Sequence, residues 1–201
     1  MVRGTDAALR DEFVVVTAHM DHLGVANGRD REGDDSVFNG AVAGSGAIAL
    51  LEMAKQLSLA PLKRSILFLW TTAHEDGLLG AEYFADTPSV PRDRIAAAVD
   101  LDGIAAAPDS MVRRASFSDR LAPLCDASAW HFVRWGIPAL RLSANRGEQY
   151  RRVTDDVAHV DFGAYASAVN AALERITEIA NGPRPARIAP QPNPRTACVT
   201  N

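Results

Sequence analysis

Four short apolar runs punctuate the chain: Phe13 to Ala18, Ser65 to Thr72, Ile95 to Leu101 and Ala139 to Ser143. None alternates cleanly between apolar and polar positions, which is how a strand covered on both faces of a parallel sheet reads. Between the runs, Ala43, Ala47, Ile48, Leu51, Ala54 and Leu57 recur at helical spacing and predict a helix with that face on the sheet, stopped by Pro61. Leu78 to Ala85 predicts a second helix. The last helix is the clearest, with Tyr165, Ala168, Val169, Ala172, Leu173, Ile176 and Ile179 on one stripe, Asn170, Glu174 and Glu178 off it, and Asn181-Gly182-Pro183 at its end. Val25 to Ser36, dense in Gly, Asn, Asp and Arg, reads as an exposed loop. Ala105 to Asp126 has no period and predicts no element. Strands alternating with helices imply a doubly wound α/β domain with a mostly parallel sheet over residues 13–182. A polar extension, 1–12, precedes it, and from Pro183 the Pro-, Arg-, Asn- and Thr-rich residues 183–201 predict a disordered tail.

At 201 residues the chain can close one sizeable core. A net charge of -4 gives no basis for a nucleic-acid partner. No apolar run nears the roughly 20 residues of a membrane span. Cys125 and Cys198 are too few and too far apart for a disulfide framework. Met1 to Glu12 carries no apolar signal-peptide core, so the protein is expected either to stay in the cytoplasm or to be a fragment that starts at a domain edge; the compartment is left unassigned.

The polar residues that follow the runs change the picture. The first run ends in His19, Asp21 and His22, the second in His74 and Glu75, the third in Asp100 and Asp102. Open α/β sheets bind their ligands at the carboxyl ends of strands. Imidazole and carboxylate are zinc donors, and a carboxylate near a histidine orients its ring. One such pair is equally a solvated strand end; three on one sheet edge predict a metal site.

The chain also carries, in order, His19-Met20-Asp21-His22-Leu23-Gly24, Val37-Phe38-Asn39-Gly40-Ala41, Ala49-Leu50-Leu51-Glu52, Lys63-Arg64-Ser65-Ile66-Leu67-Phe68, Glu75-Asp76-Gly77-Leu78-Leu79-Gly80, Leu101-Asp102-Gly103-Ile104, Trp130-His131-Phe132-Val133-Arg134 with Gly136-Ile137-Pro138-Ala139, and Thr154-Asp155-Asp156 with Val160-Asp161-Phe162. In these segments it resembles the co-catalytic two-zinc aminopeptidases, which include secreted bacterial leucyl aminopeptidases and share their fold with glutaminyl cyclases and the non-catalytic ectodomain of transferrin receptor. The resemblance implies zinc, a peptide substrate and hydrolysis of N-terminal peptide bonds. By position it makes His19 and Asp102 ligands of a first zinc, Glu75 a ligand of a second, and Asp21 the residue that orients His19. The general-base Glu of the family is His74 here. Val42-Ala43-Gly44-Ser45-Gly46 stands where the family carries its bridging Asp, Arg151 stands at the last His ligand, and Ala127-Ser128-Ala129 replaces a Ser-Asp-His. The stretch after Ile104 is short for the family.

These departures leave a partial ligand set: full two-metal chemistry is disfavoured, and a single zinc could be completed by His74 or His22. His74 is also a candidate base, since imidazole titrates near 6.5. Arg151 is a candidate surrogate for the second zinc, its guanidinium neutralising carboxylates, or else it points to solvent. His131 and His159 read as structural or exposed, and Trp70, Trp130 and Trp135 as core or cleft-lining. Three readings stay open: a zinc aminopeptidase, a non-catalytic relative that binds a protein partner with its metal site lost, and a truncated or corrupted reading of an active gene.

Overall fold

The computed structural model describes residues 1–25, 37–106, 117, 127–143 and 149–191. Strands β1 (Phe13–His19), β2 (Ser65–Thr71), β3 (Ile95–Asp102) and β4 (Ala139–Ser143) form one parallel sheet in the order β2-β1-β3-β4. Helices α1 (Ser45–Leu57) and α4 (Phe162–Asn181) cover one face, and α2 (Leu79–Asp86) and α3 (Ala129–Val133) the other. This is the doubly wound α/β arrangement expected from the alternation of runs. Val14, Val16 and Ala18 pack toward α1 and α4, while Val15 faces α2 and α3. Both faces of β1 are therefore dry, which is why its residues are apolar without alternation. No described helix is long and apolar enough to cross a membrane.

Helix α1 forms as predicted but turns a different side to the sheet. Ser45, Gly46, Ala49, Leu50, Met53 and Leu57 are buried, whereas Ile48 and Leu51 are 64% and 61% exposed. Close approach of backbone decides the choice: a Cβ on Gly46 would lie 2.2 Å from the Leu101 carbonyl oxygen, so the helix can seat here only through its smallest residues. A stripe chosen by hydrophobicity cannot see that. Helix α4 keeps its predicted stripe, and its start is capped by the Asp161 carboxylate, which accepts from Ala164 N at 3.0 Å. Helix α3, of five residues, is too short to show a period and was not anticipated.

The two ends of the described chain are tied into the body. Val2 pairs antiparallel with Ile66, and Glu12 takes a 2.7 Å hydrogen bond from the buried Arg64. Arg64 also donates to the Ile179 and Gly182 carbonyls at the end of α4. The expectation of a disordered tail is corrected for residues 183–191. There Arg184 binds Glu12 and the Asp93 carbonyl, Arg187 reaches the carbonyls of Asp93 and Ile95, and Ile188 N donates to Gly136 O at 3.2 Å. Guanidinium groups here satisfy backbone acceptors that composition does not reveal. Residues 192–201 with Cys198, Cys125, residues 26–36 of the expected loop, and 107–116 and 118–126 of the stretch without a period lie outside the described residues. Trp130 is buried and Trp70 donates to the Ala47 carbonyl, but Trp135 sits on the surface with the Arg92 guanidinium 3.9 Å from its ring centre, neither core nor cleft.

Candidate functional site

Strand parity builds the site. Thr17 lies opposite Asp100, and two residues further along each strand His19 meets Asp102, its Nε2 3.5 Å from a carboxylate oxygen. Arg141 of β4, in register with Asp100, projects to the same face and donates to Asp102. His74 arrives from the turn after β2, where Ala73 and Leu78 adopt left-handed φ values of 54° and 64°. Such backbone costs of order 1–3 kcal/mol per residue and persists only where its surroundings enforce it. Here Asp21 does so, its carboxylate accepting from His74 N at 3.1 Å. The turn stacks His74 on His19 with ring centres 4.0 Å apart. His19, His74 and Asp102 are all buried, and one donor atom of each lies within 4.8 Å of the others. Asp21 also holds the His19 ring, whose Nδ1 is 2.9 Å from its backbone carbonyl and 3.6 Å from its carboxylate.

A second group lies beside the first. Glu75 takes a hydrogen bond from Arg151, itself at φ 60°, and approaches His22 Nδ1 at 3.3 Å. The backbone N of Val42, at the position without a bridging acid, is bound by the buried Asp155 at 3.2 Å.

Burial and the neighbouring His19 push His74 down to about 4, so its ring is neutral at pH 7 with a lone pair free to coordinate. Burial opposes ionisation of Asp102, but His19 and Arg141 outweigh it and hold the carboxyl below its ordinary range. His19 is driven down by burial, and the hydrogen bond and charge of Asp102 bring it above its ordinary value. The His22 ring 3.3 Å away, with the Arg151 charge, lowers Glu75 to about 2. Asp100, fully enclosed and next to Asp102, is raised to about 7.

Two imidazoles and one carboxylate on one spot are a donor set suited to a single zinc with an open position. The second position of a two-ion centre does not fit: Val42 offers no side-chain donor, and the Glu75 carboxylate already binds the Arg151 guanidinium. His19, Asp21, His74, Glu75, Asp102 and Arg151, each singled out from sequence, thus converge, whereas His131 is buried under Trp130 and His159 pairs at the surface with Asp156. Sequence reasoning missed Arg141 and gave Asp155 no role, while Asp100 stood beside Asp102 in the group expected at the end of the third run. A lone Arg inside the apolar run Ala139 to Ser143 was a readable signal, since a charge in a buried strand must have a partner.

The fold and this strand-end cluster define an α/β protein with a zinc-exopeptidase-like fold and a candidate metal centre. Residues 1–128 match Peptidase family M28, and the chain belongs to that family. It is 36% identical over 75 residues to aminopeptidase Y of Saccharomyces cerevisiae, a match covering 37% of this chain and 12% of that protein. Its fold is similar to the zinc aminopeptidase BSAP of Bacillus subtilis (TM-score 0.60, 19% identity, 88% of this chain and 48% of that one). It is likewise similar to the Aneurinibacillus sp. strain AM-1 aminopeptidase (0.64, 16%, 96% and 49%) and to Porphyromonas gingivalis glutaminyl cyclase (0.63, 18%, 84% and 73%). The chain therefore spans about half the length of these two aminopeptidase structures.

Proposed function

We propose that the chain holds one zinc ion through His19, His74 and Asp102 and hydrolyses N-terminal peptide bonds. The observation that carries this reading is the meeting of these three buried donors, with His74 supplied as a neutral imidazole. Zinc in such a site supplies Lewis-acid polarisation of a carbonyl and makes water a stronger nucleophile. Asp21 fixes the His19 ring and, through His74 N, the turn that delivers the other imidazole. The His22–Glu75 pair is the neighbouring group able to take up and return a proton, with Glu75 orienting the ring. Family membership and the similar aminopeptidases support zinc and a peptide substrate. Metal analysis of the purified chain is expected to give one zinc per chain, and a leucyl chromogenic amide is expected to be hydrolysed in a chelator-sensitive way. Two zincs per chain, or hydrolysis untouched by chelator, would refute the single-ion assignment.

A second reading, a non-catalytic relative, is favoured by one observation: Arg141 and Arg151 already give Asp102 and Glu75 a cation each. In both readings Arg151 takes the place of a second metal for Glu75. Arg151→Ala is then expected to lower stability at pH 7 by about 1 kcal/mol, modest because the guanidinium is half exposed. Glu75 falls from 4.5 to about 2 on folding, so its contribution is complete above 4.5 and disappears as pH drops through 2. Thermal melts of the two proteins should differ at pH 7 and converge near pH 2; equal melting temperatures at pH 7 would count against the surrogate role.

A further inference from the structure

We propose that two copies of this chain pair through the outer face of helix α1, the Leu59 side chain of each copy seating in a cleft of the other. Ile48, Leu51, Glu52, Lys55 and Leu59 follow one another at helical spacing, and all are exposed. Leu59, at 86%, is the most exposed large apolar residue among the described residues. It lies past the last helical residue, Leu57, but Ser58 keeps right-handed helical backbone and Leu59 N donates to the Gln56 carbonyl at 3.2 Å, so the stripe continues to it. The close seating of Gly46 on Leu101 turns this stripe away from the sheet. Single exposed apolar residues need no explanation, but three on one helical stripe do.

The stripe complements itself about a two-fold axis. In a closed pair every contact occurs twice, with the roles of the two copies exchanged. When two α1 helices run antiparallel with Glu52 opposite Lys55 of the second copy, Lys55 meets Glu52 of the second copy, and the same register sets Ile48 opposite Leu59 at both ends. The middle of the contact is then two ion pairs and each end is apolar. Parallel helices in register would instead set Glu52 against Glu52 and Lys55 against Lys55, which charge repulsion disfavours. Within one chain the two charges are loosely held, Lys55 Nζ lying 3.8 Å from the Glu52 carboxylate, so a second copy adds partners without breaking a buried pair.

Beside Ile48 opens a cleft of about 450 Å³ whose walls include Met20, Val157 and Phe162, each more than half exposed. The antiparallel register delivers Leu59 of the second copy to this end of α1. No charged side chain lines the cleft among the described residues, and entry of Leu59 takes both its own surface and the cleft walls out of water. Tyr165 braces the floor, its hydroxyl donating across from α4 to the Ser45 carbonyl of α1. None of the candidate metal donors takes part. One helix face and one filled cleft per copy make a small interface, below about 1,200 Å² in total, so the dimer is expected to be weak, with a Kd of about 1 to 100 µM.

Sedimentation velocity of the purified chain between about 1 and 300 µM tests this. The wild type is expected to pass from monomer to dimer across that range and to go no further, because a two-fold contact closes. Glu52→Lys and Lys55→Glu should each weaken the dimer by at least about tenfold, since each sets like charges against one another in both ion pairs. Mixed in equal amounts, these two variants should pair with one another about as tightly as the wild type does with itself, because every facing pair is again opposite in sign. Leu59→Ser should also weaken the dimer by at least about tenfold, whereas Tyr83→Ser, at an exposed position on α2 across the sheet, should leave it unchanged. All four positions are exposed, so circular dichroism spectra are expected to match the wild type. A wild type that stays monomeric at the highest concentration, a dimer indifferent to Leu59→Ser and to both charge reversals, or charge variants that stay apart when mixed would overturn the pairing. So would assembly beyond the dimer, or a dimer lost in Tyr83→Ser.

Discussion

Asp102→Asn is expected to lower zinc affinity by at least about 100-fold, since losing only an outer partner of a metal ligand already costs 10- to 100-fold. The substitution exchanges an anionic donor for a neutral amide in a set that has only three protein donors. It also leaves Arg141, which binds Asp102, facing a neutral group. Zinc retained against a competing chelator is the measurement, with His159→Ala as the control, because His159 sits half exposed beside Asp156 and away from the cluster. If Asp102→Asn holds zinc as tightly as the wild type, these donors are not the site.

Arg64→Ala is expected to be the most destabilising single change, at about 3–5 kcal/mol, the usual range for removing one partner of a buried ion pair. The side chain is 2% exposed and its guanidinium serves Glu12 and the carbonyls of Ile179 and Gly182, so its loss takes a donor from two carbonyls and leaves Glu12 with Arg184 alone. Against a typical total of 5–15 kcal/mol this removes a large share of the stability. Urea unfolding reads it as a lower midpoint at an unchanged slope. The pH dependence separates the ion pair from packing. Burial alone would raise the Glu12 carboxyl, but the Arg64 hydrogen bond and the charges of Arg184 and Arg64 bring it below its ordinary value of 4.5. A depressed carboxyl contributes stability above 4.5 and loses it as pH falls through its folded value, so wild type and Arg64→Ala should draw together in acid. A gap that stays constant with pH would assign the effect to packing alone.

These two residues stood very differently in the sequence. Asp102 announces itself as an acid at the end of an apolar run, because a carboxylate there must face solvent, a partner or a metal. Arg64 looks like one more basic residue before a strand, and only the fold shows that it is buried. Arg141 stands between the two: its place in an apolar run shows that it needs a partner, but that partner lies 39 positions away and only the fold identifies it. Helix α1 marks the limit from the other side: its existence follows from spacing, but its seating follows from the space above Leu101, which belongs to β3.

By itself, the sequence determined the four strands, the three longer helices and the strand-end histidines and carboxylates, because hydrophobic period and the cost of burying polar groups are local properties of the chain. Tertiary structure alone decided that His74 stacks on His19 and joins Asp102, that Arg141 and Arg151 settle on Asp102 and Glu75, and that residues 183–191 lie against the body. Each of these depends on the distance between segments far apart in the chain. Charges and lone pairs interact through space, and only the packed sheet sets which of them meet.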